Sequence, residues 1–212
     1  TEAEHALATG TLRVQRPATM RVKFEGRLPP GVTAKDLSLA LISRHGAVGG
    51  NGFAVEYAGS VVRALDVEAR LTLCNMATEF SAMTAVIAPD EKTFDYLAGR
   101  RYAPRDAQWE LALDDWRSLG SDDGAAFDRE IEIEVGGLAP MVTWGTSPQH
   151  AVGIDGRVPE FDACGTSREA YERALAYMDL RPGQALESLA IGAAFIGSCT
   201  NSRLSDLRRA AG

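Results

Sequence analysis

Two short stretches of this chain carry side chains whose types and spacing could do chemistry. In the first, apolar Ile191-Gly-Ala-Ala-Phe-Ile196 runs into Gly197-Ser198-Cys199-Thr200-Asn201-Ser202 and then Arg203-Leu-Ser-Asp206-Leu-Arg-Arg-Ala-Ala211. The pattern predicts a buried strand, a tight polar turn with a cysteine at its tip, and a new helix. Gly197 lets the backbone fold sharply. The helix that begins after Asn201 or Ser202 directs unsatisfied N–H groups at the turn, which favours the thiolate form of a cysteine. A thiolate in such a turn is a metal ligand or a nucleophile. The same residues also suit a small buried cysteine at a strand end. The second stretch is Thr72-Leu73-Cys74-Asn75-Met76-Ala77-Thr78-Glu79. Asn75 and Glu79 are four apart, so a helix puts an amide and a carboxylate on one face. Taken singly, Asn75 could equally cap a helix and Glu79 could equally be a solvated carboxylate.

Together the two stretches resemble the aconitase superfamily of iron–sulfur hydro-lyases. Gly-Ser-Cys-Thr-Asn-Ser with Asp206-Leu207-Arg208 and Ala210-Ala211 is similar to its first cluster-cysteine motif, and Cys74-Asn75-Met76-x-x-Glu79 to its Cys-Asn-Met-x-x-Glu element. Further phrases resemble the isopropylmalate dehydratase large-subunit branch of that family. They are Gly31-Val32-Thr33-Ala34-Lys35-Asp36, Ala88-Pro89-Asp90-Glu91, Gly99-Arg100-Arg101-Tyr102-Ala103-Pro104, Ser121-Asp122-Asp123-Gly124 and Val142-Thr143-Trp144-Gly145-Thr146-Ser147-Pro148. Homoaconitases and methylmalate or citraconate hydratases share most of them. A catalytically silent α/β scaffold is the reading from a different class.

The resemblance implies reversible dehydration and rehydration of a small hydroxy-dicarboxylate, 2-isopropylmalate to 3-isopropylmalate in leucine synthesis. It implies a [4Fe-4S] cluster held by three cysteines, whose open iron acts as a Lewis acid on the substrate. It assigns Cys199 as one thiolate ligand, with Asn201 in the same cofactor-binding turn. Asn75 and Glu79 become the catalytic residues beside the open iron. It implies a small-subunit partner carrying the remaining active-site domain.

The departures from that pattern are as definite. The chain has Cys74, Cys164 and Cys199 and no Cys-x-x-Cys pair. Cys74 lies within the Asn75 helix and is read as packed, and Cys164 matches no ligand position. The Asp-Ser-His-Thr element of the family is also absent. The chain therefore reads as a middle section of a longer subunit, inactive and cluster-free by itself.

The 45% hydrophobic content is enough to bury a core. No run approaches the ~18 apolar residues of a membrane span, and no signal peptide is visible. Three scattered cysteines argue against a disulfide framework and for a reducing, cytoplasmic setting. A net charge of −7 without a basic run excludes nucleic-acid binding as the leading function. His5, His45 and His150 lack ligand spacing, and a Cys–His hydrolase would need one of them beside Cys199 in space.

The elements that must position these residues alternate between strand and helix, an α/β pattern. The resemblance adds the architecture: mixed sheets with flanking helices, an aconitase-like middle domain and the start of a following α/β domain. Arg21–Glu25 alternates as a strand. Thr33 with Asp36 forms a capping box for a helix ending near Gly46, with Leu37 and Leu41 inward. Gly49-Gly50-Asn51-Gly52 reads as a tight turn before strand Phe53–Tyr57, since a phosphate loop has the opposite order of strand and helix. Val61–Arg70, Glu91–Leu97 and Ala107–Leu119 read as helices, the last with Trp109, Leu113 and Trp116 packed. Asp114-Asp115 and Asp122-Asp123 read as solvated surface. Arg129–Val135 alternates, with Ile131, Ile133 and Val135 inward. Residues 1–18 read as the tail of a preceding domain and 19–137 as the middle α/β domain, with a boundary at Gly136-Gly137. Residues 138–212 read as a linker, loop-like from Met141 to Gly156, and the first part of the cluster-bearing domain. There Thr166 with Glu169 caps a helix whose Tyr171, Leu175 and Met178 share a face. Leu189–Ile196 is the buried strand that feeds the cysteine turn.

Overall fold

The structure is a computed structural model that describes residues 2–163, 165–197 and 200–212. Helix α1 (Glu2–Thr9) has no buried side chain. Strand β1 (Ala18–Glu25) follows, with Met20, Val22 and Phe24 wholly buried along its inward face. Burying each such side chain is worth about 1.5–3 kcal/mol. Helix α2 (Ala34–His45) starts at the expected capping box: one carboxylate oxygen of Asp36 accepts from the Thr33 N–H at 2.7 Å and the Thr33 hydroxyl at 2.6 Å. Its Leu37 and Leu41 are fully buried, and Gly46 ends it with a φ of 80°.

Gly49 and Gly50 form the expected turn before β2 (Phe53–Ala58). They lie against the buried Phe80 ring, so close that a Cβ on either would enter it. The apolar stretch expected as one helix from Val61 to Arg70 is instead two, α3 (Ser60–Ala64) and α4 (Val67–Met76). Leu65 is extended, and the Asp66 carboxylate accepts from the Ala69 N–H at 2.7 Å, so a new helix is capped where periodicity alone suggests continuity. After β3 (Thr84–Val86) come α5 (Glu91–Leu97), α6 (Ala107–Arg117) and β4 (Arg129–Glu134). Trp109, Leu113 and Trp116 of α6 are only half-buried. The two tryptophans pack edge to face at 5.6 Å, and Trp116 stacks on Phe94 at 6.0 Å.

The four strands form one parallel sheet in the order β3-β2-β1-β4. Each parallel neighbour requires a crossover, which the helices supply. The architecture is therefore α/β, a parallel sheet with flanking helices. Ile131, Ile133 and Val135 point into its core as expected.

Beyond Gly137 the sequence expectation needs three corrections. Met141–Gly156 is not simply loop: β5 (Met141–Thr143) and β6 (Ala151–Gly153) pair antiparallel. Strands of three residues are too short for periodicity to register. Helix α7 (Arg168–Met178) is capped by Ser167, whose hydroxyl accepts from the Ala170 N–H, rather than by Thr166. Its buried face is Tyr171 and Ala174, while Met178 is 39% exposed. Leu189–Ile196 is not a buried strand. No described strand lies beside it, and Ile191, Phe195 and Ile196 are exposed. A lone extended segment has no ladder for its backbone groups. Helix α8 (Leu204–Ala211) follows and meets α4 where Ser205 donates to Glu68.

A second apolar cluster gathers Trp144, Val158, Tyr171, Ala174 and Leu186. A third, Leu39, Met76 and Ala151 with half-buried Met141, seats the β5–β6 hairpin on α2 and α4. Among the described residues no helix is long and apolar enough to cross a membrane.

Candidate functional site

Glu68, Thr72 and Asn75 lie on α4 at i, i+4 and i+7, a spacing that lines them along one stripe of a helix. That stripe receives residues 200–206. The Asn75 amide donates to the Thr200 hydroxyl at 3.2 Å. The Thr72 hydroxyl, on a residue only 1% exposed, accepts from the Asn201 amide at 3.2 Å and from the Arg203 guanidinium at 3.1 Å. Ser205 donates to the Glu68 carboxylate. The turn is also braced internally. Asp206 accepts from the Arg203 N–H at 3.1 Å and from the Asn201 amide at 3.3 Å, placing a carboxylate in the first turn of α8 where the helix dipole favours it. The two sequence motifs are thus joined by hydrogen bonds. Cys199 itself lies outside the described residues, as does Cys164.

Glu79 is positioned differently from expectation. Helix α4 ends at Met76, and the N–H groups of Ala77, Thr78 and Glu79 turn to the carbonyls three residues back, at 3.2–3.4 Å. The Thr78 hydroxyl takes the Asn75 carbonyl at 2.7 Å, a local bond that competes with helix continuation. Glu79 therefore does not share a helical face with Asn75. Its carboxylate accepts from the Thr78 hydroxyl at 2.9 Å and lines a cleft of about 500 Å³ between the α2/α4 pair and the β5–β6 hairpin. Asn201 lines a neighbouring cleft of about 530 Å³ with the start of α2 and the outer face of α4. The structure brings Asn75 and Asn201 into one network and sets Glu79 in the adjoining cleft.

The hairpin that closes the Glu79 cleft is strapped to α2. The second oxygen of Asp36 accepts from the Met141 N–H at 2.6 Å, and Gln149 accepts from the Ala47 N–H at 3.1 Å. Asp36 is 8% exposed, so one buried carboxylate both starts α2 and holds β5. The Glu79 turn sits at the N-terminal edge of the parallel sheet, where the Gly50 N–H meets the Phe80 carbonyl at 2.9 Å. Open α/β sheets usually bind ligands at the opposite edge. Fold-level reasoning alone would point to the other end.

Other chemically able groups are structural in this arrangement. Arg70, 5% exposed, grips Asp90 through two bonds of 2.6 and 2.7 Å, and this contact holds the Asp90 carboxyl below the usual range. His150 is 3% exposed and stacks on Trp144 at 4.6 Å, and neither ring nitrogen has a hydrogen-bond partner among the described residues. Burial lowers its pKa and disfavours the charged form. Asp114, Asp115, Asp122 and Asp123 are exposed as expected.

The donor chemistry of the described residues does not fit an iron–sulfur cluster by itself. Such a cluster needs several thiolates. The described thiol is Cys74, half-buried against the main core, where burial pushes its pKa up and favours the protonated form. Among the described residues no group of three or more His, Cys, Asp or Glu could hold a metal ion. Sequence reasoning missed Thr72 and the second role of Asp36. Thr72 stands three residues before Asn75 and shares its face, a signal that was there to read. The Asp36–Met141 contact spans 105 residues and left none.

The whole chain, residues 1–212, matches the model of the aconitase family (aconitate hydratase). It is 56% identical over 212 residues to the 3-isopropylmalate dehydratase large subunit 1 of Bradyrhizobium diazoefficiens, covering 99% of this chain and 44% of that protein. It is 50% identical over 212 residues to the 3-isopropylmalate dehydratase large subunit of Roseiflexus castenholzii, covering 99% of this chain and 45% of that one. The chain thus spans less than half the length of these curated relatives.

Proposed function

This chain belongs to the aconitase family, and from that premise we propose that the protein it contributes to is a hydro-lyase that isomerises 2-isopropylmalate to 3-isopropylmalate. The observation that carries the reading is the set of hydrogen bonds joining the Asn75 helix to the turn that follows Cys199. A chain keeping the fold for its own sake has no need to seat two polar motifs against each other. The names of the relatives support the substrate, and their description as large subunits supports a small-subunit partner. A leucine-biosynthetic, cytoplasmic enzyme is the setting this reading carries.

Dehydration takes a proton and a hydroxide from adjacent carbons. Readdition of water in the opposite sense moves the hydroxyl. In our reading Glu79 presents its carboxylate to the reacting carbons in the hairpin cleft, where it can hold the departing and returning water by hydrogen bonds. Asn75 and Asn201 orient the turn. Cys199 would be one thiolate ligand of a [4Fe-4S] cluster, which would supply a Lewis-acidic iron and whose other ligands the described residues do not supply. The separate clusters around Leu37 and Tyr171 support a division of the chain near Gly136-Gly137, with the Leu39, Met76 and Ala151 cluster joining its two sides.

The test is turnover of 2-isopropylmalate by the full-length large subunit, reconstituted anaerobically with iron and sulfide and mixed with its small subunit. Activity that disappears in Cys199→Ser, with citrate and homoaconitate inert, is the expected result. Activity on a different hydroxy acid would replace the substrate. No activity on any of them would remove the hydro-lyase reading.

A further inference from the structure

We infer that the cleft between the β5–β6 loop and the start of α7 binds a small oxyanion, a phosphate or a carboxylate, with His150 and Arg173 as its main donors. The inference is independent of the hydro-lyase reading, which gives this cleft no role. The cleft has a volume of about 430 Å³. Its loop side carries Thr146, Ser147, Gln149 and His150, and its helix side Thr166 and Arg173. No aspartate or glutamate lines it among the described residues.

His150 is the residue that points to a ligand. Its ring packs structurally against Trp144, yet that packing uses neither nitrogen. The side chain is 3% exposed, and both nitrogens lack a hydrogen-bond partner among the described residues. A buried polar group in that state is costly, and the cost is recovered when a ligand supplies the missing partner. Gly145 lies so close that a Cβ there would run into Nδ1. Nε2 is therefore the nitrogen left for a ligand, and a neutral imidazole protonated there donates to an oxygen. Arg173 and Tyr177 also line the cleft and are exposed, so they can part over the ring without unpacking the fold.

The surrounding groups match an oxyanion. The hydroxyls of Thr146, Ser147 and Thr166 make no hydrogen bond among the described residues. Gln149 accepts from the Ala47 N–H at 3.1 Å, which leaves its own amide N–H groups to donate. Arg173 carries the charge. It pairs with Glu169 at 3.2 Å, but the two side chains are 72% and 82% exposed. An exposed pair one helical turn apart shifts an equilibrium by only about twofold. Glu169 thus competes weakly with an anion that gains Arg173 and a buried imidazole together. Thr146 and Ser147 also line the Glu79 cleft, so a bound anion braces the wall that the two clefts share.

The experiment titrates inorganic phosphate, and separately acetate, into the full-length large subunit at constant ionic strength, with chloride as the control. Calorimetry gives Kd, and hydrogen exchange of residues 144–150 and 166–171 gives the place. Saturable protection of both segments by at least one anion, and none by chloride, is the expected result. Protection by phosphate alone makes this a phosphate site, and by acetate alone a carboxylate site. His150→Phe keeps a flat ring on Trp144 and removes the donor. Its Kd should rise about 10–100-fold, the usual worth of a hydrogen bond to a charged group. Arg173→Gln should also weaken binding, and because Arg173 is exposed this variant decides the matter if His150→Phe fails to fold. Absence of saturable protection by either anion overturns the inference, and so does a Kd that neither substitution changes.

Discussion

The Asn75 amide meets the Thr200 hydroxyl at 3.2 Å across 125 residues of chain. Beside it, Thr72 accepts two further bonds from Asn201 and Arg203. Thr72→Val keeps the shape of the side chain and removes the acceptor. It should cost about 1–2 kcal/mol, with the charged Arg203 donor contributing most. Asn75→Ala should cost less, because Asn75 is exposed. The two effects should be non-additive, since both residues hold one segment. Hydrogen exchange of the backbone amides of residues 200–212 is the measurement. Faster exchange there, with α4 itself unchanged, is expected. Unchanged exchange in Thr72→Val would mean that the segment is held by other contacts.

Where local chemistry dictates an element, the sequence was enough to find it. The Thr33–Asp36 box, the alternation of β1 and β4 and the turn at Gly49-Gly50 are of this kind. Where a long-range contact or a competing side chain decides, it was not. The Thr78 hydroxyl ends α4 before Glu79, and Asp66 splits one apolar run into two helices. Leu189–Ile196 is apolar enough for a buried strand, yet a strand exists only beside another. At the candidate site, Asn75 and Asn201 are linked through Thr200 and Thr72, a connection between two motifs far apart in the chain. Glu79 lies in a different cleft, because its placement depends on where a helix stops.

Asp36 carries two jobs, and its substitution should show both. Asp36→Asn keeps the size but offers one acceptor oxygen where the carboxylate has two. Either the Thr33 cap or the buried Met141 N–H then loses its partner. The expected destabilisation is about 1–3 kcal/mol, the cost of either a lost cap or an unsatisfied donor. Denaturant unfolding gives the total. The fluorescence of Trp144, read with Trp109 and Trp116 replaced by phenylalanine, should report early loosening of the hairpin if the Met141 contact is the one lost.

Gly49 and Gly50 should not tolerate a methyl group. A Cβ on Gly49 would come within 2.8 Å of the His45 carbonyl and one on Gly50 within 2.7 Å of Phe80 Cδ1. Phe80 is fully buried and has no room to withdraw. Each glycine-to-alanine change should cost about 1–3 kcal/mol, the usual range for overpacking. Gly52→Ala makes a useful contrast. No atom lies within 4 Å of its Cβ position, so the cost there comes from its φ of 81° alone. Chemical denaturation of the three variants separates close packing from backbone strain. Equal stability of Gly50→Ala and wild type would show that the ring can move.

The pH dependence of stability should carry the signature of His150. Burial lowers its pKa below the ordinary 6.5, so the unfolded chain binds a proton that the folded chain refuses. Stability is therefore complete above about pH 6.5 and falls as the pH drops from that value through the folded pKa, by at most about 1.4 kcal/mol per pH unit for one group. His45 shifts the same way, through burial and then the repulsion of Arg129 and Arg44. Glu25 and Asp90 have lowered pKa values too, through hydrogen bonds from Ser60 and Arg70. Their loss begins only below their ordinary values of 4.5 and 3.8. The window between pH 5 and 6.5 thus belongs mainly to the two histidines. His150→Phe keeps a flat ring on Trp144 and removes one of them. Its melting temperature should fall less steeply than wild type across that window, and the two curves should run parallel above pH 7. An identical slope in both proteins would mean that His150 takes up its proton without unfolding, through a rearrangement that exposes the ring.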